Sequence, residues 1–200
     1  MARAVAIIDS GGANIASLRY ALQRLGVEAR LTTDADEIRA AWRVILPGVG
    51  AAGAAMQQLR DHNLVDVIRG LTQPVLGICL GMQLLADASA EEDVECLGII
   101  PGVATRFEPE LGLPVPNMGW CPVNTTSRSE LFDGIGDGSY FYFVHSYALP
   151  VSNDTIAVAH HRDAFSAACR RNNFHAAQFH PERSSTDGAR LLRNFLELAA

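Results

Sequence analysis

Three short apolar runs, each followed by a turn and then a stretch of helical spacing, constrain this chain most. The first, Arg3 to Asp9 (RAVAIID), ends in a carboxylate and reads as a strand. The loop Ser10-Gly11-Gly12-Ala13-Asn14 leads into a helix with Ile15, Leu18, Leu22 and Leu25 on one face, closed by Gly26 as C-cap. Val27 to Leu31 reads as a second strand, and Thr33-Asp34 caps a short helix through Ala41. Trp42 to Leu46 and Val75 to Ile78 are the other two runs. Between them lie the turn Pro47-Gly48-Val49-Gly50, a helix from Ala51 to Arg60 continuing from Asp61 to Leu71, and Pro74. Leu80 to Ala88, rich in Leu, Met, Gln and Ala, predicts a further helix. Strands and helices alternating at this spacing predict right-handed βαβ units and a parallel sheet.

The pattern changes after Ala88. Glu91 to Glu95 is an acidic stretch. Val103 to Phe107, Trp120 to Asn124, Tyr140 to Val144, Thr155 to His160, Phe165 to Arg170 and Phe174 to Phe179 read as strands separated by turn signals. Asp187 to Leu198 is an amphipathic closing helix. The expectation is an α/β fold: an open, mainly parallel sheet with flanking helices and antiparallel additions in the second half. Residues 1–200 are expected to form a single domain.

Composition narrows the function. Hydrophobic residues make up 48% of the chain, a globular value. There is no span-length apolar run, and the N-terminus has no basic stretch leading into an apolar one, so a cytoplasmic location is expected. The net charge of -6, without a basic block, argues against a nucleic-acid partner. All 16 basic residues are Arg. Without Lys there is neither Schiff-base chemistry nor a Walker-type phosphate loop. The cysteines at 79, 96, 121 and 169 have no metal or C-x-x-C spacing, so no metal and no cofactor is expected.

Cys79 stands between Gly77 and Gly81, at the joint of the Val75–Ile78 strand and the following helix. A sharp strand-to-helix turn admits only small flanking residues, as in the nucleophile elbow of hydrolases. Backbone N–H groups at the helix start favour a thiolate there. On these five positions alone, a buried cysteine at a tight turn fits equally well. The second stretch is Gln178-Phe179-His180-Pro181-Glu182. In an extended segment His180 and Glu182 leave on the same side, where a carboxylate can orient an imidazole. Nucleophile, base and orienting acid together make catalysis the better reading.

GICLGMQLL with QFHPE closely resembles the class I, triad-type glutamine amidotransferases, and the resemblance spans essentially the whole chain. Within that class PGVGAAG (47–53), PNMGW (116–120), the run Phe141 to Tyr147 and HPERS (180–184) resemble the glutaminase subunits of imidazole glycerol phosphate synthase. The resemblance implies a flavodoxin-like sheet and assigns roles. Cys79 attacks the glutamine amide, His180 moves the proton and Glu182 orients His180. The oxyanion hole would use the N–H of Leu80 and one from Gly48, Val49 or Gly50, with Val49 favoured. Gln83, Glu91, Ser146 and Tyr147 match positions that hold glutamine, although Glu91 also reads as part of a solvated loop. The implied partner is a (β/α)8 cyclase subunit in a heterodimer. It would be met by Asn117, Met118, Gly119, Trp120, Tyr142 and Arg183, with the Pro47–Gly50 loop gated by the partner.

Three motifs depart from the family pattern. The usual D-Y-G-x-G-N is Asp9 to Asn14, with Ser10 and Ala13 as replacements; H-M-G-W begins with Asn117; and H-P-E-K-S carries Arg183. Rival readings are a glutaminase of another synthase and a triad-bearing, inactive binding module. Cys96, Cys121 and Cys169 are read as packing thiols, and His145 as structural or interfacial.

Overall fold

A computed structural model describes residues 4–11, 15–109 and 113–199. Arg3 and the expected loop positions Gly12, Ala13 and Asn14 lie outside them. The first half alternates as expected: β1 (Val5–Ile8), α1 (Ile15–Arg24), β2 (Ala29–Thr32), α2 (Ala35–Ala40), β3 (Arg43–Gly48), α3 (Ala52–Asp61), α4 (Val65–Arg69), β4 (Val75–Cys79) and α5 (Leu80–Leu84). There follow β5 (Ala86–Ser89), β6 (Val94–Glu95), β7 (Ile100–Arg106), β8 (Asn117–Thr125), β9 (Ser139–His145), β10 (Tyr147–Ala148), β11 (Thr155–His161), β12 (Asp163–Arg171), β13 (Phe174–Ala177) and α6 (Ser185–Glu197).

Among the described residues nine strands form one sheet in the order β2-β1-β3-β4-β13-β12-β11-β8-β9. Pairing is parallel from β2 to β13 and antiparallel from there to β9. The expected parallel core with antiparallel additions is therefore present. β13, from the second half of the sequence, joins the parallel part beside β4 and so brings the His180 segment next to Cys79. Val5 and Ile7 of β1 pack with α1 and α6 on one face, and Ala6 and Ile8 with α2 and α3 on the other. The period-two alternation of a strand apolar on both sides builds both cores.

Local signals set several boundaries. Asp34 Oδ1 accepts hydrogen bonds from the N–H groups of Asp36 and Glu37, capping α2. The expected continuous helix from Ala51 to Leu71 is broken at Asn63, whose φ of +55° is left-handed, a region Asn tolerates.

The helix expected through Ala88 stops at Leu84. The N–H groups of Leu97, Gly98, Ile99 and Ile100 take the carbonyls of Leu84, Ala86 and Leu85, which a second helical turn would use. Long-range backbone bonding thus overrides helix propensity here. The chain turns instead into a four-stranded sheet, β10-β7-β5-β6. Among the described residues no helix is long and apolar enough to cross a membrane.

Candidate active site

Cys79 ends β4 with φ +54° and ψ -111°, and Leu80 begins α5 directly after it. This backbone is strained for a residue with a Cβ, and such strain concentrates at functional sites. The flanking glycines are required by close approach. A Cβ on Gly81 would stand 1.7 Å from the Leu46 carbonyl oxygen, and one on Gly77 would stand 2.8 Å from the Gly81 carbonyl oxygen. The turn therefore presses α5 onto β3, and the Cys79 side chain, 6% exposed, points into a cavity.

His180 follows β13. Its Nδ1 lies 2.9 Å from Glu182 Oε1, and both side chains are nearly buried. The two meet across a 3-10 turn, Pro181–Arg183, rather than along the extended segment expected from their spacing. Pro181 opens that turn because its fixed φ suits the first position. Ser184 locks the segment: its hydroxyl donates to the His180 carbonyl at 2.7 Å and accepts from the Tyr142 N–H at 3.0 Å. Burial opposes a charge on His180. Its interactions with Cys79 and Glu182, and their negative charge, outweigh burial and raise its pKa to about 10. Burial pushes the Cys96 and Cys169 thiols up to about 11, and raises Cys121 as well, which suits packing rather than chemistry.

A cavity of about 320 Å³ joins these groups. Its lining includes Cys79, Leu80, His180 and Glu182, the turn Pro47 to Gly50, and Gln83, Glu91, Ser146 and Tyr147. The fold thus gathers every residue expected for triad, oxyanion hole and substrate contacts around one space. Gly48 pairs with Cys79 across β3 and β4, and Gly50 has φ +96°. Glu91 is tied down: its Oε2 accepts from the N–H of Ala52 at 2.9 Å, at the start of α3. Ser10, one of the departures, donates its hydroxyl to the Pro47 carbonyl at 2.8 Å and so braces the base of the turn.

One contact in the site had no sequence signal. Gln178, fully buried, directs its Nε2 at Cys79 Sγ, 3.8 Å away, and its Oε1 accepts from Gln83 Nε2 at 3.1 Å. Gln178 stands in the QFHPE stretch, yet nothing in local spacing says that it reaches a residue 99 positions earlier.

The expected partner residues divide. On β8, Met118 and Trp120 are exposed and Asn117 is buried, because alternate residues of a strand face opposite sides. Asn117 Nδ2 instead meets His145 Nε2 at 3.2 Å. Trp120 packs edge-on against Tyr142 with ring centres 5.9 Å apart, and the Arg183 guanidinium lies 4.5 Å over the Tyr142 ring. Met118, Trp120, Tyr142 and Arg183 therefore share one surface, next to the cavity that Arg183 also lines.

The family model for glutamine amidotransferase class-I matches residues 6–199. The chain is 52% identical over 195 residues to imidazole glycerol phosphate synthase subunit HisH of Xanthomonas euvesicatoria, covering 98% of each. It is 48% identical over 193 residues to the protein of the same name from Haemophilus influenzae, covering 96% of each. In fold it is similar to a glutamine amidotransferase from Thermotoga maritima, with a TM-score of 0.68 at 17% identity, over 98% of this chain and 82% of that one.

Proposed function

The chain belongs to the class I glutamine amidotransferases, and from that premise we propose that it is the glutaminase subunit of an imidazole glycerol phosphate synthase, serving histidine biosynthesis. The observation that carries the chemistry is the convergence of Cys79, His180 and Glu182 on one cavity. Cys79 Sγ attacks the glutamine side-chain carbonyl, and its proton passes to His180. The oxyanion develops beside the N–H groups of Leu80 and Val49. His180 returns the proton to the departing nitrogen, the C–N bond breaks, and ammonia leaves behind a γ-glutamyl thioester. His180 then takes a proton from water, whose oxygen attacks the thioester and releases glutamate and the thiol. Glu182 holds the ring and stabilises its charged form.

Ammonia released to neutral water becomes ammonium, a poor nucleophile, so the product has to reach a second protein before it is protonated. The relatives are named as subunits of a synthase. The partner we propose is a (β/α)8 cyclase that closes the imidazole ring. Support for the docking face comes from Met118, Trp120, Tyr142 and Arg183: an exposed aromatic and cationic patch at the cavity. Gating of the turn Pro47 to Gly50 by the partner belongs to the same reading.

Glutamate release from glutamine, measured with and without the cyclase and its ligand, tests the proposal. Turnover is expected to rise by orders of magnitude on mixing, and Cys79→Ala to abolish it. Full turnover by the chain alone, unchanged by any cyclase, rejects the partner and the gate. Wild-type turnover by Cys79→Ala rejects the nucleophile.

A further inference from the structure

The orientation of the carboxamides behind Cys79 follows from one backbone atom. The Tyr147 carbonyl oxygen can only accept, and a side-chain atom of Gln83 lies 2.9 Å from it. That atom must therefore be the nitrogen of Gln83. The same nitrogen reaches Gln178 at 3.1 Å, so the Gln178 atom there must be its oxygen. The Gln178 nitrogen is then left facing Cys79 Sγ, at 3.8 Å. His145 Nδ1 donates to the same Tyr147 oxygen at 2.9 Å, which fixes the His145 tautomer. Its Nε2 is then an acceptor for the Asn117 amide, whose oxygen takes the Cys121 thiol.

Gln178 is fully buried, and a buried carboxamide is costly unless its donors find acceptors. Here the sulfur is the acceptor. The neutral thiol has a different outlet, since Cys79 Sγ can donate to the Val144 carbonyl at 3.7 Å. The thiolate has nothing to donate and needs donors aimed at it.

We propose that Gln178, aimed by Gln83, is a fixed N–H donor that favours the thiolate of Cys79 and holds the sulfur in place for attack. The proposal rests on Cys79 being the nucleophile and adds a residue to that site. The titratable groups lining the same cavity as Cys79 are His180 and Glu182 beyond β13, Arg183 on the same turn, His145 on β9, Tyr147 on β10 and Glu91 after β5. Gln178 differs from all of these in carrying no charge of its own, so it contributes the same donor at every pH.

The test is alkylation of Cys79 by iodoacetamide as a function of pH, followed by mass spectrometry of the Cys79 peptide. It needs neither glutamine nor a partner, so its result is separate from whether the chain hydrolyses glutamine. Gln178→Met keeps the volume and removes the donor. Its alkylation midpoint is expected about one pH unit above wild type, and its rate at neutral pH about tenfold lower. Gln178→Glu should shift the midpoint further, because a carboxylate faces the sulfur. With the cyclase present, kcat should fall and KM should change little. A midpoint equal to wild type in folded Gln178→Met overturns the proposal.

A second measurement needs no Gln178 variant. In wild-type protein the side-chain amide nitrogen signal of Gln178 should move with the ionisation of Cys79 and lose that step in Cys79→Ala. A signal that ignores the ionisation overturns the proposal equally.

Discussion

Cys79 ends β4 and His180 follows β13, and in the proposed mechanism one proton passes between their sulfur and nitrogen. The pKa of His180 is raised because its interactions with Cys79 and Glu182 outweigh the opposing effect of burial. The two partners differ in kind. In the proposed mechanism His180 moves protons in both halves of the reaction, while Glu182 acts through His180, by one bond at 2.9 Å. His180→Ala is therefore expected to lower kcat by about a thousandfold or more. Glu182→Ala should lower it by less, since an imidazole without its carboxylate can still find the sulfur. Steady-state assays with the cyclase present measure both, and a greater loss in Glu182→Ala would reverse the roles.

At the scale of elements, β9 and β13 each bury a histidine that carries no charge. Burial lowers the pKa of His145 and of His175 to about 4, and neighbouring positive charge adds to the effect at His175. The sign of the pH dependence follows. Between about 4 and 6.5 the unfolded chain binds protons that the folded chain refuses, so stability rises with pH across that window and is lost on acidification. Each histidine should cost about 2 kcal/mol at pH 5 relative to neutral pH. Urea unfolding at the two pH values measures the loss. His175 is the cleaner case, because its Nδ1 is buried without a partner and an apolar replacement forfeits no bond there. His175→Leu should recover that share at pH 5, and an equal pH-dependent loss in the variant would assign the effect elsewhere.

At the scale of the molecule, the sheet carries the candidate site at the carboxyl ends of β3 and β4 and its exposed aromatic face on β8 and β9. The two meet at Val144. Its carbonyl touches Cys79, and on the strand ribbon it stands opposite Met118. A partner seated on Trp120 and Tyr142 would thus lie beside the cavity in which the proposed reaction releases ammonia. Trp120 is half exposed, so its removal leaves the core intact. Trp120→Ala should weaken cyclase binding by about thirtyfold, or about 2 kcal/mol, with unfolding stability nearly unchanged. Titration calorimetry reads the first and urea unfolding the second. Unaltered affinity would move the docking face elsewhere.

The parallel core, the turn at Cys79 and the His180–Glu182 pair were legible in the residues themselves. Each is written in a few adjacent positions: an apolar run, two glycines around a cysteine, a proline between a base and an acid. Backbone sterics and burial act on such stretches wherever they occur. The shortness of α5 was not legible, because the carbonyls that end it are claimed by amides 12 to 15 residues later. Nor was the placing of β13 beside β4, which brings the His180 segment next to Cys79. The inward turn of Asn117 and the aim of Gln178 were likewise decided in space. A carboxamide's role depends on which acceptor faces it, and those acceptors arrive from strands far apart in the chain. Local chemistry determined which groups could react; only the tertiary structure decided which of them meet.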